Sequence, residues 1–170
     1  QGSVSSGKIS KGDKVIIFPN KTEVKIKEIL TFDSELKKAS KGSAISLLFN
    51  KEVDCSRGDV ITNKLDNLKM SHLLDCHLIW MDQEDLVPGR QYNLKIAHQL
   101  VSASLSKPKY ELNINTLEKN VANTFKMNSI GCVQITTNRP IVFQPYKVNK
   151  ELGSFILIDK IKNSTVAAGL

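Results

Sequence analysis

The sequence predicts an all-β protein that folds as two tandem antiparallel β-barrels. Its apolar runs are short, rich in β-branched residues and separated by Gly, Pro, Asn and Ser turn signals. Helical periodicity is nearly absent. The closing residues 153–170 repeat the pattern, because a β-prone run and a turn are followed by a second short run. Many short strands at this spacing are typical of barrels.

In the first predicted domain, residues 1–66, a Gly-containing turn at residues 10–13 leads into the first clear strand. Residues 35–41 have helical propensity but span only about two turns, so we expect a connecting loop that ends at Gly42. The predicted strands of this domain are residues 14–18, 24–29, 44–49 and 60–61.

In the second predicted domain, residues 67–170, the β segment begins at Leu73. Residues 92–105 alternate as one strand with a kink, and residues 116–125 are either a short helix or a loop. Residues 130–135 and 141–143 are predicted as two strands divided by residues 138–140. The remaining predicted strands are residues 73–81, 110–114, 155–158 (buried on both faces) and 165–170, with a turn at residues 162–164.

The chain of 170 residues has a net charge of +7, divided as +4 over residues 1–70 and +3 over residues 71–170. Such an even excess, mostly of Lys, is typical of a solvated surface and only weakly favours nucleic acid. No apolar run reaches the roughly 18 residues of a membrane span, and no signal peptide is visible. Because the chain begins with Gln1 and not with Met, we expect a processed product or a piece of a longer protein, and we favour the piece.

The odd cysteine count, Cys55, Cys76 and Cys132, argues against a disulfide framework and favours a reducing compartment. Cys76 lies close to His72 and His77, which raises the possibility of zinc. The spacing lacks a fourth ligand and the usual paired pattern, so a strand crossing this region is the favoured interpretation, and no metal site is predicted.

Several short motifs are interpreted as chance. The tripeptide at residues 57–59 matches an integrin-binding motif but is expected to be a glycine turn, and the sequons at Asn20 and Asn163 need a secretory signal. Residues 63–66 match a guanine-reading NKxD motif, yet the chain has no phosphate loop. Glu84 and Asp85 are neighbouring carboxylates expected to be solvated. No catalytic, cofactor-binding or metal-binding residue is predicted.

Six segments carry a resemblance to a known family over nearly the whole chain. They are SGKISKGDKV (6–15), TFDSELKKASKGSAISL (31–47), VDCSRGDVI (53–61), IWMDQEDLVPGRQYNLK (79–95), YELNINTLEK (110–119) and FILIDKIKNSTVAAGL (155–170). These segments resemble the second and third domains of translational GTPases such as elongation factor Tu, and most specifically the GTP-regulated large subunit of bacterial sulfate adenylyltransferase. The sequence departs from the family pattern at Gln83, at Asp85 and at residues 126–129.

The resemblance implies a cytoplasmic enzyme that converts ATP and sulfate to adenosine 5′-phosphosulfate and pyrophosphate, driven by GTP hydrolysis. It implies that GTP and Mg²⁺ bind an amino-terminal domain upstream of Gln1, and that a separate small subunit carries the adenylyl transfer site. The barrels would then be rigid coupling and subunit-interface modules. The first barrel would lack its first strand and leave an exposed edge near residues 4–9.

Two alternative functions stay open. One is a nucleic-acid-binding barrel pair of the translation-factor type, which the basic pI of about 9.3 favours weakly and the 6% aromatic content disfavours. The other is a standalone structural domain, which would not bind the small subunit.

Overall fold

The computed structural model describes residues 1–63 and 68–170, and it consists almost wholly of β-strands. The prediction of an all-β fold is therefore confirmed. The chain divides into two compact units, Gln1–Leu68 and Lys69–Leu170. The predicted boundary between residues 66 and 67 lies outside the described residues.

The first unit contains an open, antiparallel half-barrel. Its strands are β1 (Gly2–Ser3), β2 (Lys8–Ser10), β3 (Lys14–Phe18), β4 (Thr22–Leu30), β5 (Glu35–Leu36), β6 (Lys38–Ser40), β7 (Ala44–Phe49) and β8 (Val60–Thr62). They run in the order β1-β7-β4-β3-β8, β5 pairs with β4, and β2 and β6 form a separate two-stranded ribbon.

Strand β4 shows why this sheet has one buried face. Val24 and Ile26 point into the core, whereas Glu23 and Lys25 point outward, as the two-residue period of a strand requires. The predicted turn before β3 is present, since the Asp13 N–H donates to the Ser10 carbonyl at 3.1 Å and Gly12 has a φ of 89°. The buried core of the unit comprises Val15, Ile17, Val24, Ile26, Ile29, Ala39 and Ile45.

The first unit differs from the sequence prediction at residues 35–41 and at the expected edge near residues 4–9. Residues 35–41 were expected to be a loop, but they supply β5 and β6, because β5 extends the β4 hairpin and β6 pairs with β2. The segment expected to be an exposed edge is paired on one side. The Val4 N–H donates to the Ser43 carbonyl at 3.0 Å, and Ile9 lies opposite Ala39 in the ribbon. The absence of a first strand stays a prediction.

The second unit is a closed six-stranded barrel. Its elements are β9 (Lys69–Trp80), β10 (Gln91–Ile96), β11 (Gln99–Leu105), β12 (Tyr110–Leu112), β13 (Lys119–Asn120), β14 (Ile130–Phe143), α1 (Lys150–Gly153), β15 (Phe155–Asp159) and β16 (Thr165–Gly169). The strand order β11-β10-β15-β16-β9-β14 closes into a barrel because β14 also pairs with β11, and β12 and β13 extend the sheet from β14.

Several predicted strands of this unit have different bounds in the structure. Strand β9 begins at Lys69 and not at Leu73. Residues 92–105 are not one kinked strand but the β10–β11 hairpin, with Ala97 at a φ of 48° in its turn. Residues 130–143 form one strand, because a register shift between Thr136 and Ile141 accommodates the proline at position 140.

Other details also differ from the sequence prediction. In β15, Phe155 and Leu157 are buried while Ile156 and Ile158 are only half-buried, so the run is not buried on both faces. Residues 116–125 form a loop with the short strand β13, not a helix. The single helical turn α1 was not predicted; Asn149 caps it by accepting hydrogen bonds from the N–H groups of Glu151 and Leu152. No helix among the described residues is long and apolar enough to cross a membrane.

Candidate functional site

A buried carboxylate lies at the end of β15 in the second unit. Asp159 is only 2% exposed, yet both of its oxygens are paired. Its Oδ1 accepts hydrogen bonds from the Ile161 N–H at 2.8 Å and the Lys162 N–H at 2.9 Å, and its Oδ2 lies 2.6 Å from Arg90 Nη2. The same side chain therefore shapes the turn before β16 and binds a cation from a segment 69 residues away.

Arg90 reaches Asp159 because a tight turn directs it there. Residues 87–90 form the predicted Val-Pro-Gly turn, in which Gly89 has a φ of 83° and the Arg90 N–H donates to the Val87 carbonyl at 3.2 Å. Strand β10 then places Tyr92 opposite Asp159, and the Arg90 guanidinium lies 5.8 Å from the Tyr92 ring centroid.

Further charges join this pair into a network that we call the charged clamp: Asp82, Glu84, Arg90, Asp159 and Lys162. Lys162 Nζ lies 2.8 Å from Glu84 Oε1 and 3.7 Å from Asp82 Oδ1, and Arg90 Nη1 lies 3.4 Å from Glu84 Oε2. The clamp joins residues 79–95 to residues 155–170, two segments that the sequence resemblance had singled out. Its groups satisfy one another, which indicates a structural role.

The charged clamp predicts that the stability of the second unit falls in acid. Hydrogen bonds from the N–H groups of Lys162 and Ile161, together with the nearby Arg90 charge, hold the pKa of Asp159 below its ordinary value. A carboxyl group with a lowered folded-state pKa stabilises the fold fully above its unfolded pKa of about 3.9 and loses that contribution as the pH falls through the folded value. Lys162 lowers the pKa of Glu84 in the same direction.

We expect Asp159→Asn to lower the melting temperature of the second unit at pH 7 and to bring it level with the unchanged protein in acid. The asparagine amide would turn a donor toward Arg90, and the buried charge pair would be lost. Melting curves between pH 7 and about pH 2 check this result. A constant difference between the two proteins across that range would contradict it.

The second feature of this unit is an exposed apolar loop, residues 113–128. The loop is held at its start by Asn113, whose N–H donates to the Glu118 carbonyl at 2.9 Å and whose carbonyl accepts from the Leu117 N–H at 2.7 Å. At its end, Thr124 Oγ1 donates to the Leu86 carbonyl at 2.6 Å, and Phe125 is fully buried. Both ends of the loop are therefore fixed.

Between these anchors the loop presents large apolar side chains to solvent. Val121 is 96% exposed, and the other exposed apolar residues of the loop are Ile114, Leu117 and Met127. Val121 and Met127 line a groove of about 460 Å³ together with polar residues that include Glu111 and Lys126. Several large exposed apolar side chains on one anchored segment make the loop a candidate surface for contact with another protein.

The structure does not bring the tentative metal ligands together. Alternation along β9 turns the Cys76 side chain into the core and the His77 side chain outward, where His77 Nε2 lies 2.6 Å from the Tyr110 hydroxyl. Burial raises the pKa of Cys76 to about 12, so its thiol stays protonated near neutral pH. Within residues 1–63 and 68–170, no three His, Cys, Asp or Glu side chains form a group that could hold a metal.

The other motifs have ordinary structural surroundings. Residues 57–59 lie in a turn in which the Asp59 N–H donates to the Ser56 carbonyl at 3.1 Å and Gly58 has a φ of 101°. Most of the NKxD match, residues 64–66, lies outside the described residues. Glu84 belongs to the charged clamp, whereas Asp85 is simply exposed. The clamp and the apolar loop were not predicted as sites, although segments of both carried the family resemblance.

The fold defines a protein of the translation-factor barrel class. Two crystal structures share this fold. One is sup35 complexed with GMPPNP, which matches with a TM-score of 0.86 and 19% identity over 99% of this chain and 42% of that chain. The other is apo translation elongation factor SelB from Methanococcus maripaludis, which matches with a TM-score of 0.76 and 15% identity over 97% of this chain and 37% of that chain. Residues 1–62 match the elongation factor Tu domain 2 profile, and residues 73–170 match the GTP-eEF1A C-terminal domain-like profile. The chain belongs to the GTP-eEF1A C-terminal domain-like family.

Curated relatives show that the chain is similar to a more specific group of proteins within this class. The bifunctional enzyme CysN/CysC of Xylella fastidiosa is 37% identical over 168 residues, which are 99% of this chain and 27% of that protein. Sulfate adenylyltransferase subunit 1 of Saccharophagus degradans is 34% identical over 169 residues, and the protein of the same name in Aliarcobacter butzleri is 37% identical over 169; each match covers 99% of this chain and 36% of the relative. The chain thus spans about a quarter to a third of these relatives.

Proposed function

We propose that this chain is part of the GTP-binding large subunit of a sulfate adenylyltransferase. With a small catalytic subunit, the enzyme would convert ATP and sulfate to adenosine 5′-phosphosulfate and pyrophosphate, driven by GTP hydrolysis. The observation that carries the proposal is 34–37% identity across 99% of the chain to relatives named sulfate adenylyltransferase subunit 1 or CysN/CysC. The free cysteines suit a reducing compartment, so we place the enzyme in the cytoplasm.

The two units would act as rigid coupling and interface modules. The sequence contains no phosphate loop, and no three His, Cys, Asp or Glu side chains of its described residues form a group that could hold a metal, so it offers no GTPase site of the phosphate-loop type. We assign GTP and Mg²⁺ to an amino-terminal domain of the parent protein. A closed barrel with a close-packed interior is stiff, and a stiff body can carry a rotation of one domain to a neighbouring subunit as a rigid shift.

The direct test uses the parent protein that contains this sequence, purified together with its small subunit. We expect formation of adenosine 5′-phosphosulfate from ATP and sulfate to increase when GTP is added, with one assay following both GTP hydrolysis and adenylyl transfer. A parent protein that forms no complex with the small subunit, or whose adenylyl transfer ignores GTP, would contradict the proposal.

We propose the apolar loop of residues 113–128 as the surface that the small subunit covers. Replacing Leu117 and Val121 by Ser should weaken subunit binding by roughly tenfold or more, because apolar anchors carry most of the binding energy at an interface. Stability should change little, since both side chains are exposed. Ile161→Ser is the matched control, because Ile161 is exposed on the same unit but outside the loop. If the unchanged protein, the variant with Leu117 and Val121 replaced, and the Ile161→Ser control bind the small subunit with equal affinity, this surface is not the interface.

A further inference from the structure

Two lysines face each other directly on the outer surface of the first unit. Lys14 on β3 lies opposite Lys25 on β4 in the antiparallel register, and both side chains are exposed. Like charges at directly opposed positions destabilise a sheet. From this arrangement we propose that the first unit binds a small polyphosphorylated ligand here, a function beyond the coupling role proposed above.

The lysine pair lies in a groove of about 520 Å³ that belongs wholly to the first unit. This volume falls within the usual range for small-molecule sites. The groove crosses three paired strands, because Ile16 lies opposite Glu23 on one side and Thr62 on the other. Its lining residues are Lys14, Val15, Ile16, Glu23, Val24, Lys25, Asn50, Lys51, Thr62 and Asn63.

A third cation and an amide are fixed beside the pair. The Asn50 N–H donates to the Lys25 carbonyl at 3.0 Å, and Asn50 Oδ1 accepts from the Lys25 N–H at 2.8 Å. This double link joins the end of β7 to β4 and brings the following residue, Lys51, to the groove. Because Asn50 Oδ1 is already engaged, its amide NH₂ is the group left to donate to a ligand.

Among the described residues that line it, the groove carries more positive than negative charge. The groove holds three lysines and one glutamate, Glu23, which leaves an excess of two positive charges. In the part of the chain that the structure describes, none of Lys14, Lys25 and Lys51 forms an ion pair. Lysines often protect sheet edges from pairing, but β3 and β4 are interior strands of this sheet, so that reason does not apply.

The ligand class follows from these groups. Ammonium groups act as point charges toward phosphate oxygens, and an amide NH₂ adds a hydrogen-bond donor. Two unbalanced positive charges match a ligand with at least two negative charges. The half-buried Ile16 side chain on the groove floor gives an attached base or other apolar group a surface to pack on.

The test measures binding of two probes, tripolyphosphate and ATP, to the 170-residue chain by isothermal titration at constant ionic strength. We expect binding, and a loss of roughly tenfold in affinity for each of Lys14→Gln and Lys25→Gln, because each substitution removes one charge-assisted contact. Both variants should also melt at a higher temperature than the unchanged protein without ligand, since the repulsion is gone. Lys27→Gln on the same strand lies outside the groove and should keep full affinity.

The arms of the experiment separate the possible results. Equal affinity for both probes would show that the site contacts phosphate groups alone, whereas tighter binding of ATP would show an added contact with the base. Either result supports the proposal if Lys14→Gln and Lys25→Gln weaken the binding. If Lys27→Gln weakens binding as much as Lys25→Gln does, the probes are attracted only by the general surface charge, and the proposal is overturned. A single-stranded oligonucleotide that binds more tightly than either probe, with a steep salt dependence, would overturn it in favour of nucleic acid.

Discussion

Trp80→Ala should lower the free energy of unfolding of the second unit by about 4 kcal/mol. Trp80 is only 1% exposed and is among the largest side chains of the barrel core. Its ring meets the Tyr92 ring edge-on at a centroid distance of 5.9 Å, and its Nε1–H donates to the Glu84 carbonyl at 2.8 Å. The substitution removes both contacts, leaves a cavity and orphans a carbonyl next to the charged clamp.

The measurement is native-state hydrogen exchange of amides in β10 and β15 at increasing urea, which reports this unit separately from the first. Met81→Ala is the matched control, because the neighbouring side chain is 40% exposed and its loss should cost little. Similar values for the two variants would contradict the role assigned to Trp80.

The same substitution tests the coupling role if it is made in the parent protein. We expect GTP hydrolysis to continue while its coupling to adenylyl transfer weakens, because a loosened barrel transmits a rigid shift poorly. Unchanged coupling in a parent protein whose second barrel is demonstrably destabilised would contradict the mechanical role. That result would not bear on the proposed sulfate adenylyltransferase activity, because the activity is inferred from sequence identity with curated relatives.

Local patterns sufficed to predict the fold class because strand alternation is a local property. The alternation of Val24, Lys25 and Ile26 predicts one buried and one solvated face whatever strand lies alongside. Strand bounds were less predictable, because they depend on partners distant in sequence. Lys38–Ser40 becomes a strand only because Lys8–Ser10 lies beside it, and residues 138–140 stay within β14 only because β9 tolerates a register shift.

The candidate sites depend even more on pairing register. Arg90 and Asp159 meet because β10 and β15 pair with Tyr92 opposite Asp159, and nothing in either segment alone specifies that register. Likewise, alternation along β4 predicts that Lys25 points outward, but only the β3–β4 register places Lys14 opposite it. The family resemblance marked the segments of the clamp without indicating which side chains would touch.

Gly131→Ala should destabilise the second unit by about 3 kcal/mol, near the upper end of what overpacking usually costs. A Cβ at this position would lie 2.2 Å from the Tyr110 carbonyl oxygen and 2.6 Å from Phe125 Cζ. Phe125 is fully buried and Tyr110 O belongs to the backbone of β12, so neither can yield by rotating into solvent. The strain must instead separate β12 from β14 at the Glu111–Gly131 pair.

That separation has a local signature besides the loss of stability. The Lys109 N–H, which donates to the Cys132 carbonyl at 2.8 Å, should exchange with solvent faster in Gly131→Ala, and the anchors of the apolar loop should weaken with it. Fluorescence of Trp80, the single tryptophan, follows unfolding of this unit. Gly2→Ala is the control, because a Cβ there meets no atom within 4 Å. If both alanine variants unfold at the same urea concentration, close packing of β12 on Gly131 does not hold the loop in place.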